Sequence, residues 1–213
     1  MIDAAEKDLL KGKGQSLNAQ LTKALTTRTL QTARQSGLPI YQIDEQHQVG
    51  DTFGQRISNA FETVFSKGYD AVICIGNDAA SLDHVKWDRL SISLSNGENV
   101  IGPDYRAGAY LIGLTRKSFN KEQFQNLRWQ TKDLIADLKN FCETYNELEQ
   151  VADLNNWDDL KLAARSFSTI RRILTAICGV LSIPVSQYRQ ISICSHDAID
   201  LRGPPQFLLG QAA

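Results

Sequence analysis

Apolar and polar positions along this chain fall into two alternating periods. Leu17, Leu21, Ala24 and Leu25 recur at helical spacing, which predicts a helix from about Ser16 to Ser36, ended by Gly37. Leu38-Pro-Ile-Tyr-Gln-Ile43 then reads as a strand with Pro39 at its start, where a missing donor is tolerated. Thr52 and Gln55 have the spacing of a capping box, and Phe53, Ile57, Phe61, Val64 and Phe65 form the apolar face of the helix behind it. Lys67-Gly68 closes that helix. Five apolar residues, Ala71 to Ile75, follow as a strand buried on both faces. This strand–helix–strand order predicts a parallel, right-handed crossover.

Beyond Asp78, Ser81 or Asp83 caps a helix reaching to about Leu94, and Asn96-Gly97 makes a turn. Val100-Ile101 is a short strand stopped by Gly102-Pro103, and Ala109 to Leu114 is another buried strand. Phe124 to Cys142 reads as largely helical. Val151 to Leu160 reads as a strand end turning into a helix, whose start accounts for Asp153, Asp158 and Asp159. From Ala163 one long helix is predicted to about Ser182, with Pro184 interrupting it. Tyr188 to Cys194 is a possible strand, and Arg202-Gly-Pro-Pro205 a rigid turn. Residues 163–213 are read as a helical extension on a main domain of residues 1–162, because the tail is too short for a good core of its own.

The 213 residues hold 42% hydrophobic and 22% charged side chains, ordinary for a globular protein with a normal core. A formal net charge of −1 gives no support to nucleic-acid binding. Cys74, Cys142, Cys178 and Cys194 form no Cys-x-x-Cys pair, which suits reduced, buried thiols and a cytoplasmic location. The first fourteen residues are charged, without the apolar run of a secretory signal. Ile173 to Ile183 is too short to span a bilayer and follows Arg171 and Arg172, so a buried or interfacial helix is expected. His47, His84 and His196 show no metal-ligand spacing, and no histidine belongs to a nucleophile motif.

The candidate chemistry lies just past Ile75, where Gly76-Asn77-Asp78 places a carboxylate at the carboxyl end of a buried strand. In open α/β sheets ligands bind in the crevice beyond those ends. On residues alone, Asp78 either serves such a ligand or caps the next helix.

An ordered set of motifs resembles the bacterial glycosyltransferase-like proteins of the nucleotide-diphospho-sugar transferase superfamily, a largely uncharacterised family with the GT-A fold. The set runs Gln48-Val-Gly-Asp-Thr-Phe-Gly-Gln-Arg56, Ala60-Phe61, Gly68, Ile75-Gly-Asn-Asp78 with Leu82, Gly102-Pro103, Gly108 with Tyr110-Leu-Ile-Gly-Leu114, and Trp129-Gln-Thr131. It covers about Leu17 to Leu160. The resemblance implies an α/β, Rossmann-like fold with a mixed, mostly parallel sheet between helices. It implies a nucleotide or nucleotide-sugar ligand, and it makes Asp78 the acid that holds a divalent cation, Mg²⁺ or Mn²⁺, on the diphosphate. By the same resemblance Asn77, Gly108, Arg56 and Lys13 are ligand-site residues, with Arg56 and Lys13 neutralising phosphate. Trp129 is read as a packing anchor.

The chain departs from that family at three places. The opening apolar strand is missing or reduced, and only Lys11-Gly-Lys-Gly14 is similar to the family's basic loop. Losing a central strand would leave two exposed edges, so an unusual start site is favoured over a stable loss. Ala79-Ala80 stands where the family has Cys-Pro or Thr-Pro, a change in the turn more than in the chemistry. Arg106-Ala107-Gly108 stands where the family has Asp-Gly-Gly. A guanidinium within about 4–6 Å of Asp78 would compete with a metal, so Mg²⁺ or Mn²⁺ binding is expected to be weak or absent. Arg106 is also a ligand-site candidate, able to pair a carboxylate or phosphate with two donors; its alternative is a solvated loop residue, and Asp104 is the alternative second acid.

Three functions remain open at this level. One is a sugar- or nucleotidyl-transferase acting on a nucleotide diphosphate. Another is a relative that binds nucleotide or phosphate without turnover. The third is an interaction protein whose C-terminal helix, Arg171 to Ile183, pairs with a partner or with its own copy as a homodimer.

Overall fold

The computed structural model describes residues 9–10, 14–80, 82–179 and 207–211. Its helices are α1 (Gln15–Arg34), α2 (Phe53–Phe65), α3 (Trp87–Ser95), α4 (Lys121–Gln125), α5 (Leu134–Phe141), α6 (Trp157–Ser166) and α7 (Ser168–Cys178). The strands are β1 (Ile40–Gln42), β2 (Ala71–Ile75), β3 (Asn99–Pro103), β4 (Ala109–Thr115), β5 (Tyr145–Glu147) and β6 (Phe207–Gln211). They form one mixed sheet in the order β1-β6-β2-β4-β3-β5.

Strands β1, β2, β3 and β5 run in the same direction, as expected for an α/β fold. The antiparallel β4 and β6 are interleaved among them, so among neighbours only β3 and β5 pair in parallel. β1 and β2 are therefore joined by the α2 crossover without being hydrogen-bonded to each other, because β6 lies between them. That position explains how an interior strand can come from the far end of the chain. The proposed strand at Tyr188 to Cys194, the turn at Arg202 to Pro205 and Lys13 lie outside the described residues.

Side chains alternate across the sheet as a strand's period of two requires. Ala71, Ile73 and Ile75 face a core with Trp87, Leu90 and Leu94 of α3. Val72 and Cys74 face the opposite core, with Ile57, Phe61, Val64 and Phe65 of α2, Phe124, and Leu134 and Leu138 of α5. The capping box at α2 is complete: Thr52 accepts from the Gln55 N–H, and the Gln55 side chain accepts from the Thr52 N–H. A third core joins Leu21 and Leu25 of α1 to Leu160 and Ala164 of α6 and to Ile170 and Leu174 of α7.

Several expected elements are divided. The helix expected to follow a cap at Ser81 or Asp83 and reach Leu94 is a short 3-10 turn, Leu82–His84, followed by α3. The segment Phe124 to Cys142 holds two helices separated by a loop in which Gln130 adopts φ 59°. The long helix expected from Ala163 begins earlier, at Trp157, and breaks at Phe167, whose extended backbone (φ −114°, ψ 110°) starts α7 in a new direction. The apolar face of α7 finds cover within the chain, against α1 and α6. No helix among the described residues is long and apolar enough to cross a membrane.

Candidate functional site

Because β1, β2 and β3 point the same way, their carboxyl ends share one edge of the molecule, the crest. After β2 the chain turns through Gly76-Asn77-Asp78. A Cβ on Gly76 would lie 2.8 Å from Asp78 Oδ1, so the glycine lets the carboxylate fold back over the strand end. The crest is then crossed by residues 149–155. Leu154 donates its N–H to the Asp78 carbonyl (2.8 Å), and Ala80 donates to the Ala152 carbonyl (3.1 Å). The same segment reaches the β3–β4 loop, where Tyr105 donates to Val151 O (3.1 Å) and Val151 donates to Pro103 O (3.2 Å). Gln150 Nε2 adds a bond to the Asp104 carbonyl at 2.9 Å. One strap thus ties both crest loops together. Ala80 contributes an N–H that the family's proline would lack.

On the other side stands α1. Arg28 is 3% exposed, and its Nη1 and Nη2 donate to the carbonyls of Ala79 (2.9 Å) and Ala80 (2.6 Å). It also pairs with Asp83 at 3.1 Å, whose other oxygen accepts from Thr32 Oγ1 at 2.9 Å. Asp83, one of the two expected helix caps, is a partner for α1. Asn77 is engaged on the same helix: its Nδ2 donates to Thr26 Oγ1 (3.3 Å), and its carbonyl accepts from Thr29 Oγ1 (3.4 Å). Sequence reasoning missed Arg28. The signal was present, because Leu21, Leu25, Arg28 and Thr32 lie on one helical stripe and put a cation on the buried face.

The β3–β4 loop has its own anchor. Asp104 is fully buried, and its Oδ1 accepts the N–H groups of Arg106 (2.6 Å) and Gly108 (2.8 Å). Ala107 between them sits at φ 63°, a left-handed conformation that glycine adopts without cost. Arg106 Nη2 pairs with Asp159 Oδ1 at 3.1 Å, and Asp159 Oδ2 accepts from the Asn155 N–H at 3.0 Å. Asn156 caps α6 by accepting from the Asp158 and Asp159 N–H groups, so the acids here do mark a helix start. The Tyr105 ring beside Arg106 is 65% exposed.

Arg56 lies at the start of α2, beyond the carboxyl end of β1. Its Nε donates to Gly50 O (2.9 Å) and its Nη2 to Asp51 O (3.4 Å), so it braces the loop before its helix. It also lines a groove of about 150 Å³ with Ile43, His47, Val49 and Asn59. Trp129 packs against Phe53 and Phe124 and donates Nε1 to Phe124 O at 2.9 Å, the anchor role expected of it. Burial pushes the Cys74 thiol well above its usual range and the Cys142 thiol up to about 12, so neither is a nucleophile at neutral pH.

Two acids near the Asp78 turn are already engaged within the fold. Asp104 spends one oxygen on two backbone N–H groups of its own loop and is sealed from solvent. Asp159 is engaged with Arg106 and the Asn155 backbone. Among the described residues, no three histidine, cysteine or acidic side chains stand close enough to hold a metal ion.

Residues 15–131 match the bacterial family described as uncharacterized protein conserved in bacteria (DUF2064). The fold is similar to that of a crystal structure from Desulfovibrio desulfuricans G20, of a protein provisionally assigned as a nucleotide-diphospho-sugar transferase. The TM-score is 0.60 at 21% identity, over 79% of this chain and 88% of that one. No curated protein matches this chain.

Proposed function

The chain belongs to the bacterial family DUF2064, and on that premise we propose that it binds a nucleotide-diphosphate-sugar or a related nucleotide at the crest, with weak or no dependence on a divalent cation. The observation that carries this reading is the commitment of Asp104. Its carboxylate is buried in the loop it closes, which leaves Asp78 without a second acid of the β3–β4 loop to share a metal. The same loop supplies a cation in its place. The Arg106 side chain is 35% exposed, and its guanidinium is held by Asp159 at the crest. Arginine matches phosphate oxygens with paired donors, so a diphosphate can displace the Asp159 contact and take the charge that a metal would otherwise supply.

In this reading Asp78 orients the ligand at the strand end. Arg56 adds positive charge around the phosphates, and the resemblance implies the same of Lys13, which lies outside the described residues. Asn77 and Gly108 act through shape: the first is tied to α1, and the second turns its N–H inward to Asp104. With Asp104 closed into its own loop and Arg106 standing where the family has an acid, the site favours ligand binding without turnover over metal-assisted transfer.

A thermal-shift panel of nucleotides and nucleotide-sugars, with and without Mn²⁺, tests the reading, since a ligand that binds only the native state raises the melting temperature. At least one nucleoside diphosphate or its sugar should raise it without metal. Arg106→Ala should weaken that ligand about 10- to 100-fold, the loss of a charge-assisted pair. A panel that responds only when Mn²⁺ is present would reverse the assignment.

A further inference from the structure

Strand β6 is the last of the described elements and an interior strand of the sheet. It is held on both edges by antiparallel ladders. On one side five positions oppose β2, from Ala71 against Gln211 to Ile75 against Phe207; on the other, three oppose β1. Strands β2, β4, β3 and β5 are contiguous without it. β1 is not, because among the described strands β6 is its sole neighbour. The two parts of the crest hang from these two parts of the sheet: the loop with Arg56 and the groove follows β1, and the Asp78 turn follows β2.

The antiparallel direction adds a second constraint. Phe207 opposes Ile75 and Gln42, so β6 begins at the crest and runs away from it. Residues 180–206 connect it to the rest of the chain. A contact between positions this far apart forms only after its neighbours are placed, because the closure entropy is lost before the ladder compensates for it.

We infer that β6 is a separable keystone strand supplied by the chain itself, and that β1 and β6 open together as one unit, freeing the Arg56 loop from the Asp78 turn. Its seat between β1 and β2 is a binding site for one extended segment, and the ligand is the chain's own C-terminal strand. Opening removes every ladder bond of β1 but leaves the β2–β4–β3–β5 ladders intact, so the remaining sheet stays protected. The inference rests on sheet topology and is independent of whether a nucleotide binds.

Two experiments on the full chain, both without nucleotide, test it. Leu208 opposes the native Cys74 across the ladder, and directly opposed residues of an antiparallel pair place their Cα atoms about 4.5–5.5 Å apart, a separation that a disulfide spans. Leu208→Cys, refolded with diamide, should give a monomer with a Cys74–Cys crosslink found by peptide mapping. A crosslink joining two copies would show instead that the strand is exchanged between molecules, and no crosslink to Cys74 would remove β6 from its seat.

Hydrogen exchange on the unaltered chain gives the second readout and does not depend on the variant folding. Amides of Ile40–Gln42 and Phe207–Gln211 should exchange with one common denaturant dependence, at least about tenfold faster than those of β4. In the oxidised variant both sets should slow by at least about tenfold. Amides of β1 protected as strongly as β4, or exchanging independently of β6, would overturn the inference.

Discussion

At the scale of single residues, the crest is shaped by two side chains to which the proposed ligand site gives no direct role. Arg28 lies almost wholly buried and satisfies the carbonyls of Ala79 and Ala80 just after Asp78. Replacing it with alanine leaves those carbonyls without donors and Asp83 without its cation. Arg28→Ala should therefore lower the unfolding free energy by about 3 kcal/mol, measured by urea titration; a change within about 0.5 kcal/mol would mean that water replaces the guanidinium at no cost. Ala107 makes the opposite case. At φ 63° it is held in a conformation that costs an L-residue about 1 kcal/mol or more. Ala107→Gly should raise stability by about 1 kcal/mol in the same titration, and a loss would place the strain elsewhere in the loop.

At the scale of elements, most of the chain was legible where a local rule acts alone. The Thr52/Gln55 capping box, the buried run Ala71 to Ile75 and the Asn96-Gly97 turn appear where the sequence puts them, because their bonds close within a few residues. Long helices were misread where tertiary partners interrupt them. Phe124 to Cys142 is helical by periodicity, yet Arg128 stops the pattern. Its guanidinium clasps Asp133 (2.7 Å) and Asp137 (2.6 Å) at the start of α5 and holds the loop between α4 and α5. The side-chain hydrogen bond from Arg128, joined by its backbone N–H, holds Asp137 at about 2. A carboxyl whose pKa falls on folding adds stability above its unfolded value and loses it on acidification through the folded one. The stability difference between the natural chain and Asp137→Asn should thus be full above about pH 5 and shrink towards pH 2. A difference that does not vary with pH would show that the clasp does not survive in solution.

At the scale of the whole molecule, two features resisted sequence reading for the same reason: each depends on residues far apart in the chain. One is the seat of β6 beside β2, a pairing between positions near 73 and 209 that no local pattern announces. The opening strand, expected to be missing or reduced, leaves no gap in the described sheet, where β6 lies between β1 and β2. The other is the crest itself. Asp78 and Arg106 were visible as residues, but the strap of residues 149–155 that joins their loops, and the pairing of Arg106 with Asp159, required the fold. Asp104 shows most clearly what the sequence withheld, since an acid in a loop does not reveal whether it faces a ligand or its own backbone.

The commitment of that acid, and the cation beside it, support the proposed metal independence of this protein. Calorimetric titration of Mn²⁺ into the full chain, in the presence of saturating nucleoside diphosphate, measures it most directly. The account predicts no tight binding, and no difference between the natural chain and Asp78→Ala beyond the background of the free nucleotide. Tight, stoichiometric binding that disappears in Asp78→Ala would contradict it.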